Sequence, residues 1–342
     1  MIKIPKRSKG RQSPAQLAQY ERECQSFARE LLKIRASLDF EISARGWCYI
    51  LEAHGLAKGD FNSAQALICD LRKNGMLPLD ICAEDSARSW EGIPRINKEN
   101  PVDYVANLLR DLRYYADFYH PIDFWEDQDY YLECLVEKVD LVGLFKPVCQ
   151  EYHIPIANGR GQTDLNCRAA MMQRFKQREA QGKIPVLLYC GDFDPFGLVI
   201  SDSLRGNLES LKQAVGWAPD NLIIDRFGLN YDFIQENQLT WIDNLETGSG
   251  KRLDDPNHPF YSAIKQYIDK YGTKKVEANA LVVRTDAGRQ LITTAINKYV
   301  SPKSLELFNE RERKEQSKVR EIVSHLQDTV DFSGFWEGMG IR

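Results

Sequence analysis

Two aspartates in the middle of the chain have a spacing that suits cation binding. Asp192 and Asp194 follow the apolar run 184–189, which has the length and the β-branched and aromatic content of a buried parallel strand. Because side chains alternate along a strand, both carboxylates are predicted to lie on one side at its carboxyl end. Carboxylates this close repel each other unless a cation lies between them, and Mg²⁺ prefers hard oxygen ligands. The pattern indicates a magnesium site; alternatively, it is a strand-to-helix turn with a capping aspartate.

A second acidic strand end lies upstream. Residues 130–138 form another short strand-like run, and Glu137 stands at its end. A helical stretch and a strand-like piece at 154–157 separate this run from the aspartate pair. In an open α/β sheet the carboxyl ends of the strands form the ligand-binding edge, so Glu137 is predicted to converge with Asp192 and Asp194 on one or two Mg²⁺ ions. Such a site suits phosphodiester chemistry.

These acidic motifs resemble those of a Toprim domain, the magnesium-binding module of topoisomerases, bacterial primases and some nucleases. Residues 158–168 resemble the "GKGYPDxxTR" stretch of the topoisomerase VI A subunit family, which includes the eukaryotic meiotic double-strand-break protein. Residues 192–197 resemble its "DxDPxG". Residues 226–229 and 274–281 resemble its "lGl" and "KxExxAL" segments, which are less specific. The resemblance runs from about residue 35 to about residue 300.

Members of that family cleave DNA with a tyrosine on a motif resembling "RDxYY", carried by a winged-helix domain. Residues 45–49 match this motif with Tyr49 at the nucleophile position, but Gly46 replaces the usual acidic residue and Cys48 the common aromatic. A phenol with a pKa of about 10 is a poor nucleophile at neutral pH and needs a nearby base or cation. Arg45 lies one helical turn earlier and is expected to favour the phenolate or hold the phosphate. Alternatively, Tyr49 is a core aromatic.

Basic residues near the acidic motifs are candidates for phosphate binding. Arg160 and Arg168 flank the motif between the acidic strands, and Lys138 directly follows Glu137. We expect these cations to contact the scissile or neighbouring phosphates. Lys138 alternatively pairs with Glu137.

The predicted fold class is α/β, with a winged-helix-like domain before a Toprim, Rossmann-like domain that carries C-terminal helices. A helix at 64–74, a left-handed Gly75 and a wing strand at 77–81 are predicted for the winged helix. A generic helical domain with a basic face is the alternative. The expected boundaries are a basic tail at 1–11, the winged-helix-like domain at 12–95, a linker at 96–128, the Toprim core at 129–235 and a mostly helical extension at 236–342. Within this extension, helices are predicted at 259–271, 276–283, 291–299 and 302–327.

Composition excludes some classes of protein. The 342 residues are 43% hydrophobic and 27% charged, and their net charge of −4 gives no overall basic signature, so nucleic-acid contact would depend on local patches. The basic tail is either an arm for DNA or a solubilising terminus. There is no apolar run of about 20 residues and no signal-peptide pattern, so we expect a cytoplasmic, DNA-associated protein without a membrane partner. The eight scattered cysteines lack a CxxC pair, which argues against zinc and favours reduced thiols.

The resemblance implies a type IIB topoisomerase A-like subunit that cleaves double-stranded DNA through Tyr49, with Mg²⁺ or Mn²⁺ held by Glu137, Asp192 and Asp194. Cutting both strands requires two protomers, hence a homodimer. The chain has no GHKL-type ATPase signature, so strand passage would need a separate ATPase B-type subunit. Two alternatives remain: a hydrolytic Toprim nuclease in which water attacks, and a DNA-binding protein with a vestigial metal site.

Overall fold

The computed structural model describes residues 2–7, 12–83, 111–159, 165–243 and 261–329, with a few isolated positions in and beside the gaps. The chain divides into two compact units. The first spans residues 1–89 and 130–296, and the second spans 90–129 and 297–342, counting only the described residues of each. Within the described parts of the chain, no helix combines the length and the apolar character that a membrane crossing requires.

The first unit begins with three helices and continues as alternating strands and helices. Its elements, in chain order, are α1 (Pro14–Ala36), α2 (Ala44–Ala53), α3 (Phe61–Lys73), β1 (Tyr130–Val136), α4 (Val139–Glu151), β2 (Ile156–Asn158), α5 (Leu165–Ala180), β3 (Ile184–Cys190), α6 (Pro195–Leu198), α7 (Ile200–Glu209), α8 (Lys212–Val215), β4 (Ile223–Gly228), α9 (Tyr231–Glu236), α10 (Tyr261–Tyr271) and α11 (Thr285–Ile296).

The four strands form one parallel sheet in the order β2-β1-β3-β4. Six of the seven residues of both β1 and β3 are buried, as expected for strands covered on both faces. The predicted α/β class and the strands after which the acidic residues stand are confirmed. The sequence interpretation did not identify β4, although it singled out the "lGl"-like segment at the end of this strand.

The helices lie on both faces of this sheet. The chain runs from β1 outward to β2 through α4, and then back past β1 to β3 through α5. Right-handed crossovers in opposite directions along a sheet place their helices on opposite faces. In agreement, α4 packs against α11, whereas α5 packs against α7 and α8.

The N-terminal helices follow the predicted pattern only in part. Helix α1 begins at a capping box formed by Ser13 and Gln16. Gly75, which follows α3, has a φ of 73°, as predicted for the residue at the end of the helix expected at 64–74. The predicted wing strand at 77–81 is wrong, because Leu79–Ile81 forms a 3-10 helix. Pro78 has no N–H to donate to a strand ladder, and the Ile81 carbonyl instead accepts the indole N–H of Trp47 at 2.7 Å.

The second unit contains the 3-10 helix Leu112–Phe118 and the long helix α12 (Pro302–Thr329), which was predicted from 302 to 327. These two elements pack together. In the predicted linker, Phe124 is only 3% exposed, and its ring lies 5.2 Å from that of Phe308 on α12. The linker therefore contributes an aromatic side chain to the core of this unit.

Candidate metal centre

The three acidic candidates follow strands β1 and β3, between which the order of the strands in the sheet reverses. From β1 the chain crosses to one side of the sheet, to β2, and β3 lies on the other side of β1. The loops that follow β1 and β3 therefore diverge, which opens a crevice at their carboxyl ends. The register pairs Val136 with Cys190, so both strands end at the same level. Glu137 follows β1 and Asp192 follows β3 by two residues, and the fold brings them together.

Glu137 and Asp192 share one positively charged neighbour. The Lys138 ammonium donates to Glu137 Oε1 at 2.6 Å and to Asp192 Oδ2 at 2.8 Å. The other oxygens of this pair accept backbone N–H groups, Glu137 Oε2 from Asp192 at 2.9 Å and Asp192 Oδ1 from Ala278 at 2.8 Å. Every oxygen of the two carboxylates is thus held in place. An ammonium group lies between them, where the sequence predicted a metal cation.

Asp194 has two roles in this loop. Its Oδ1 accepts the Gly197 N–H at 2.6 Å and caps helix α6, so the capping interpretation is confirmed. Its Oδ2 has no hydrogen-bond partner among the described residues and remains available to a ligand. Capping and cation binding are therefore compatible for this residue.

A glycine and a half-buried arginine hold the loop that carries the aspartates in place. A Cβ at Gly191 would lie 2.8 Å from Glu137 Oε2, so a side chain here would displace the carboxylate. Arg226 on β4 donates to the carbonyls of Gly197 at 2.6 Å and Asp192 at 3.3 Å. The loop that carries the aspartates is therefore fixed from the neighbouring strand.

The electrostatics of the centre favour an additional cation. The pKa of Asp194 is raised to about 6, mainly by burial and in addition by the nearby Asp192 and Glu137 carboxylates, while the hydrogen bond from Gly197 acts in the opposite direction. Burial also raises the pKa of Asp192, although Lys138 opposes this shift. The pKa of Lys138 is raised as well, because Asp192 and Glu137 outweigh the effect of its burial. One ammonium therefore only partly compensates three neighbouring carboxylates.

The donor set fits Mg²⁺. Glu137, Asp192 and Asp194 carry hard oxygen donors at the ends of two adjacent strands, and two of them already hold a cationic group between them. In the described part of the chain, no three His, Cys, Asp or Glu side chains form a ready-made metal site. The Lys138 ammonium contacts one oxygen each of Glu137 and Asp192, so these two residues would have to release it before they held a metal ion.

Asp194→Asn is expected to stabilise the metal-free protein at neutral pH. Because the pKa of Asp194 is raised, the folded state binds this proton more tightly than the unfolded chain does, so the contribution of Asp194 to stability is present at low pH and is lost as pH rises from about 4 to about 6. Asparagine keeps the cap without the charge. We expect the free energy of unfolding to rise by about 1–3 kcal/mol at pH 7.5.

The measurement is denaturant unfolding in EDTA at pH 4 and pH 7.5, where the gain should be confined to the higher pH. A gain of equal size at both pH values would contradict the assignment of this charge effect to Asp194. Asp202→Asn, an exposed change on α7, is the matched control.

Tyr49 lies on α2 inside the first unit and is only 3% exposed. Its hydroxyl donates to Glu277 Oε2, and its ring packs edge-on against Phe61 at 5.3 Å. The Arg45 guanidinium lies 5.8 Å from the centre of the Tyr49 ring and 4.9 Å from that of Phe61. The predicted proximity of Arg45 and Tyr49 is confirmed, and so is the alternative that Tyr49 is a core aromatic, because its ring is buried. The role of Tyr49 as a nucleophile stays a prediction.

Glu277 connects Tyr49 with the acidic loop. The next residue, Ala278, donates its N–H to Asp192 Oδ1, and the preceding Val276 exchanges two backbone hydrogen bonds with Phe193 at 2.8 and 3.1 Å. The segment that resembles "KxExxAL" is therefore paired with the loop between the two aspartates. The helix predicted at 276–283 is a 3-10 helix that begins at Ala278, because Val276 is still paired with Phe193 in an isolated β-bridge.

Gly46 stands where the resembled motif has an acidic residue, and the packing around it leaves no room for a side chain. A Cβ at this position would lie 2.6 Å from Ile42 Cγ2 and 2.9 Å from the carboxyl carbon of Asp140. Asp140, at the start of α4, accepts from Ser43 N at 2.8 Å and Ser43 Oγ at 2.9 Å, which holds the start of α2. An acidic side chain at position 46 would clash with Ile42 and would be repelled by the Asp140 carboxylate.

Gly46→Ala is expected to destabilise the protein by about 1–3 kcal/mol, because the added methyl group forces the backbone of α2 away from Asp140. Thermal or denaturant unfolding measures the change. Gly206→Ala is the matched control, since a Cβ at this position in α7 meets nothing within 4 Å, and it should leave stability unchanged or slightly raise it. Equal unfolding free energies for Gly46→Ala and the wild type would show that the close packing is absent.

Of the predicted phosphate-binding residues that the structure describes, Lys138 contacts the acidic residues and Arg168 does not. Lys138 lies in the centre itself, and its alternative role, pairing with Glu137, is confirmed. Arg168 on α5 donates to the Asn207 carbonyl on α7 at 3.4 Å, and the structure describes no contact between it and the three carboxylates. Arg160 lies outside the described residues.

Sequence reasoning assigned no role to Glu277 or to two cations near the centre. Arg226 holds the aspartate loop, and the Lys275 ammonium lies 3.7 Å from Glu277 Oε1. Two features of the sequence could have pointed to these residues: the spacing of lysine and glutamate at 274–281, and the arginine that begins the "lGl"-like segment at 226–229.

No protein-family model matches this chain, and neither a curated protein nor a solved structure shows significant similarity to it. The geometry of the first unit therefore carries the functional argument.

Proposed function

We propose that this protein is a metal-dependent enzyme that cuts the phosphodiester backbone of DNA. More particularly, we propose a topoisomerase VI A-like subunit, with a winged-helix-like domain before a Toprim domain, that cuts through Tyr49. The observation that carries this proposal is the contact between the Tyr49 hydroxyl and Glu277, whose neighbour Ala278 binds Asp192 in the acidic centre. The nearness of a tyrosine hydroxyl to the candidate magnesium site supports tyrosine-mediated cleavage.

The sheet supports the Toprim part of this proposal. Its four parallel strands carry acidic residues after β1 and β3, at the point where the strand order reverses. Helices α2 and α3 pack together before it and carry the candidate nucleophile. These features agree with the motif order in the sequence.

Each residue has a definite part in the proposed reaction. Glu137, Asp192 and Asp194 would hold Mg²⁺, which supplies positive charge to the phosphate oxygens and the leaving oxygen. Tyr49 Oη attacks the phosphorus and forms the phosphotyrosyl link. Arg45, exposed beside the Tyr49 ring, binds a phosphate oxygen and orients it. Arg226 fixes the loop that carries both aspartates.

The partners belong to the same proposal. Two protomers are needed to cut both strands, so the active form would be a homodimer bound to double-stranded DNA, in the cytoplasm where DNA is available. Strand passage would require a separate GHKL-type ATPase subunit. Without that subunit the chain would cleave and rejoin DNA, or cleave it only.

The test is a cleavage assay on supercoiled plasmid with Mg²⁺ or Mn²⁺, stopped with SDS and divided into samples with and without protease digestion. We expect broken DNA whose ends enter the gel only after proteolysis, because the protein remains attached. Free ends in both samples would contradict tyrosine-mediated cleavage.

A hydrolytic nuclease is the second candidate function, and the burial of Tyr49 favours it. A side chain that is 3% exposed reaches a phosphate only after a local rearrangement. Water could approach the acidic centre without that rearrangement, since the Glu137 side chain is 26% exposed. In this case cleavage would persist without the Tyr49 hydroxyl and would leave free ends.

A further inference from the structure

The Tyr49–Glu277 pair is a built contact between residues far apart in the chain. The phenol donates to Glu277 Oε2 across a separation of 228 residues, and α2 packs against the 3-10 helix Ala278–Val283 that follows Glu277. The backbone next to Glu277 is fixed by the hydrogen bonds of Val276 to Phe193 and of Ala278 to Asp192. The carboxylate is therefore held at the tyrosine hydroxyl.

The surroundings of Glu277 suit a proton acceptor. Its side chain is 21% exposed, and its second oxygen, Oε1, lies 3.7 Å from the Lys275 ammonium, which leaves Oε2 for the phenol. Burial raises the pKa of Glu277, while Arg45 acts in the opposite direction. A carboxylate in a partly buried position is a stronger base than one in water.

We infer that Glu277 is the general base that accepts the phenolic proton of Tyr49 when the Tyr49 oxygen attacks the phosphate. This inference rests on the proposed tyrosine mechanism. The Oη–P bond forms and the bond from phosphorus to one sugar oxygen breaks. The Tyr49 proton passes to Glu277 Oε2, and the released sugar oxygen takes a proton from solvent. In the reverse, rejoining reaction, Glu277 returns its proton to the phenolate.

Glu277→Gln isolates the proton-accepting role. Glutamine keeps an oxygen that accepts the Tyr49 hydrogen bond, so the packing is preserved, but it cannot take the proton. The rate of covalent adduct formation is measured in single-turnover reactions with a labelled DNA duplex and Mg²⁺ between pH 6 and pH 9.5. We expect a loss of roughly 10²–10³-fold near pH 7 that shrinks as pH rises, because a larger fraction of the phenol then ionises without a base.

A second substitution and a control complete the experiment. Glu277→Ala removes the side chain, and added formate should restore part of the rate, whereas chloride at the same ionic strength should not. Glu236→Gln, an exposed change at the end of α9, should leave the rate unchanged. A more acidic, fluorinated tyrosine at position 49 should recover much of the rate lost in Glu277→Gln.

The outcomes separate this inference from the proposed function. Wild-type rates for Glu277→Gln at every pH, with Tyr49→Phe inactive, would overturn the role of Glu277 and leave tyrosine cleavage standing. A uniform loss at all pH values that neither formate nor fluorinated tyrosine reverses would also overturn it, because that pattern is structural. Full cleavage by Tyr49→Phe would overturn the tyrosine mechanism itself.

Discussion

Tyr49→Phe is expected to abolish the covalent protein–DNA adduct while leaving the protein folded. The phenylalanine ring keeps the edge-on packing against Phe61 and the neighbouring Arg45, and the hydroxyl bond to Glu277 is lost. One such hydrogen bond contributes about 1 kcal/mol to stability. The adduct should fall by at least roughly 10³-fold, because no other atom of the side chain can form the bond to phosphorus.

The adduct is measured by SDS-quenched gel electrophoresis before and after protease digestion, and folding by circular dichroism and thermal unfolding. Tyr20→Phe on α1 is the matched control, since it removes a phenol from the same unit without touching Glu277 or the carboxylates. If Tyr49→Phe still breaks the plasmid and leaves free ends, water is the nucleophile and the hydrolytic function replaces the proposed one.

Asp192→Asn is expected to remove all metal-dependent cleavage, whichever nucleophile acts. Asp192 joins three parts of the centre, since it accepts from Lys138 and Ala278 and its backbone N–H donates to Glu137. Asparagine would turn an N–H₂ group toward the Lys138 ammonium or toward the Ala278 N–H, so one contact becomes unfavourable. Loss of about 4 kcal/mol of transition-state stabilisation corresponds to a rate roughly 10³-fold lower.

Plasmid cleavage across a range of Mg²⁺ and Mn²⁺ concentrations measures this effect, together with Mn²⁺ binding followed by electron paramagnetic resonance. Asp202→Asn on α7 makes the same chemical change on the surface and should leave both readouts unaltered. Normal cleavage and normal Mn²⁺ binding by Asp192→Asn would rule out the acidic centre as the site of metal binding. Normal DNA binding by an inactive wild-type protein would instead favour the vestigial-site alternative.

Local patterns in the sequence predicted the strands and the position of the acidic residues. The apolar runs before Glu137 and Asp192 identify β1 and β3, because a buried parallel strand has a recognisable length and composition. Their parallel pairing then brings the two strand ends to one edge. The Asp194 cap and the left-handed Gly75 also follow from short-range rules.

The wing strand was wrong, and the helix predicted at 276–283 is a shorter 3-10 helix, because neighbours in space override local preference. Residues 77–81 have the composition of a strand, but the indole of Trp47 binds the Ile81 carbonyl and the segment turns as a 3-10 helix. Val276 pairs with Phe193, so the following helix begins later and is tighter. Propensity is a weak prior wherever tertiary contacts compete with it.

The sequence alone predicted that Glu137 and the aspartate pair stand at one sheet edge, because strand periodicity and composition are properties of short segments, and the parallel register of β1 and β3 bears this out. Only the tertiary structure decided what surrounds them. It places the Lys138 ammonium between Glu137 and Asp192, and it brings Glu277 to the Tyr49 hydroxyl. Contacts of this kind depend on how whole helices and loops pack, and no local pattern encodes a hydrogen bond between residues 228 positions apart.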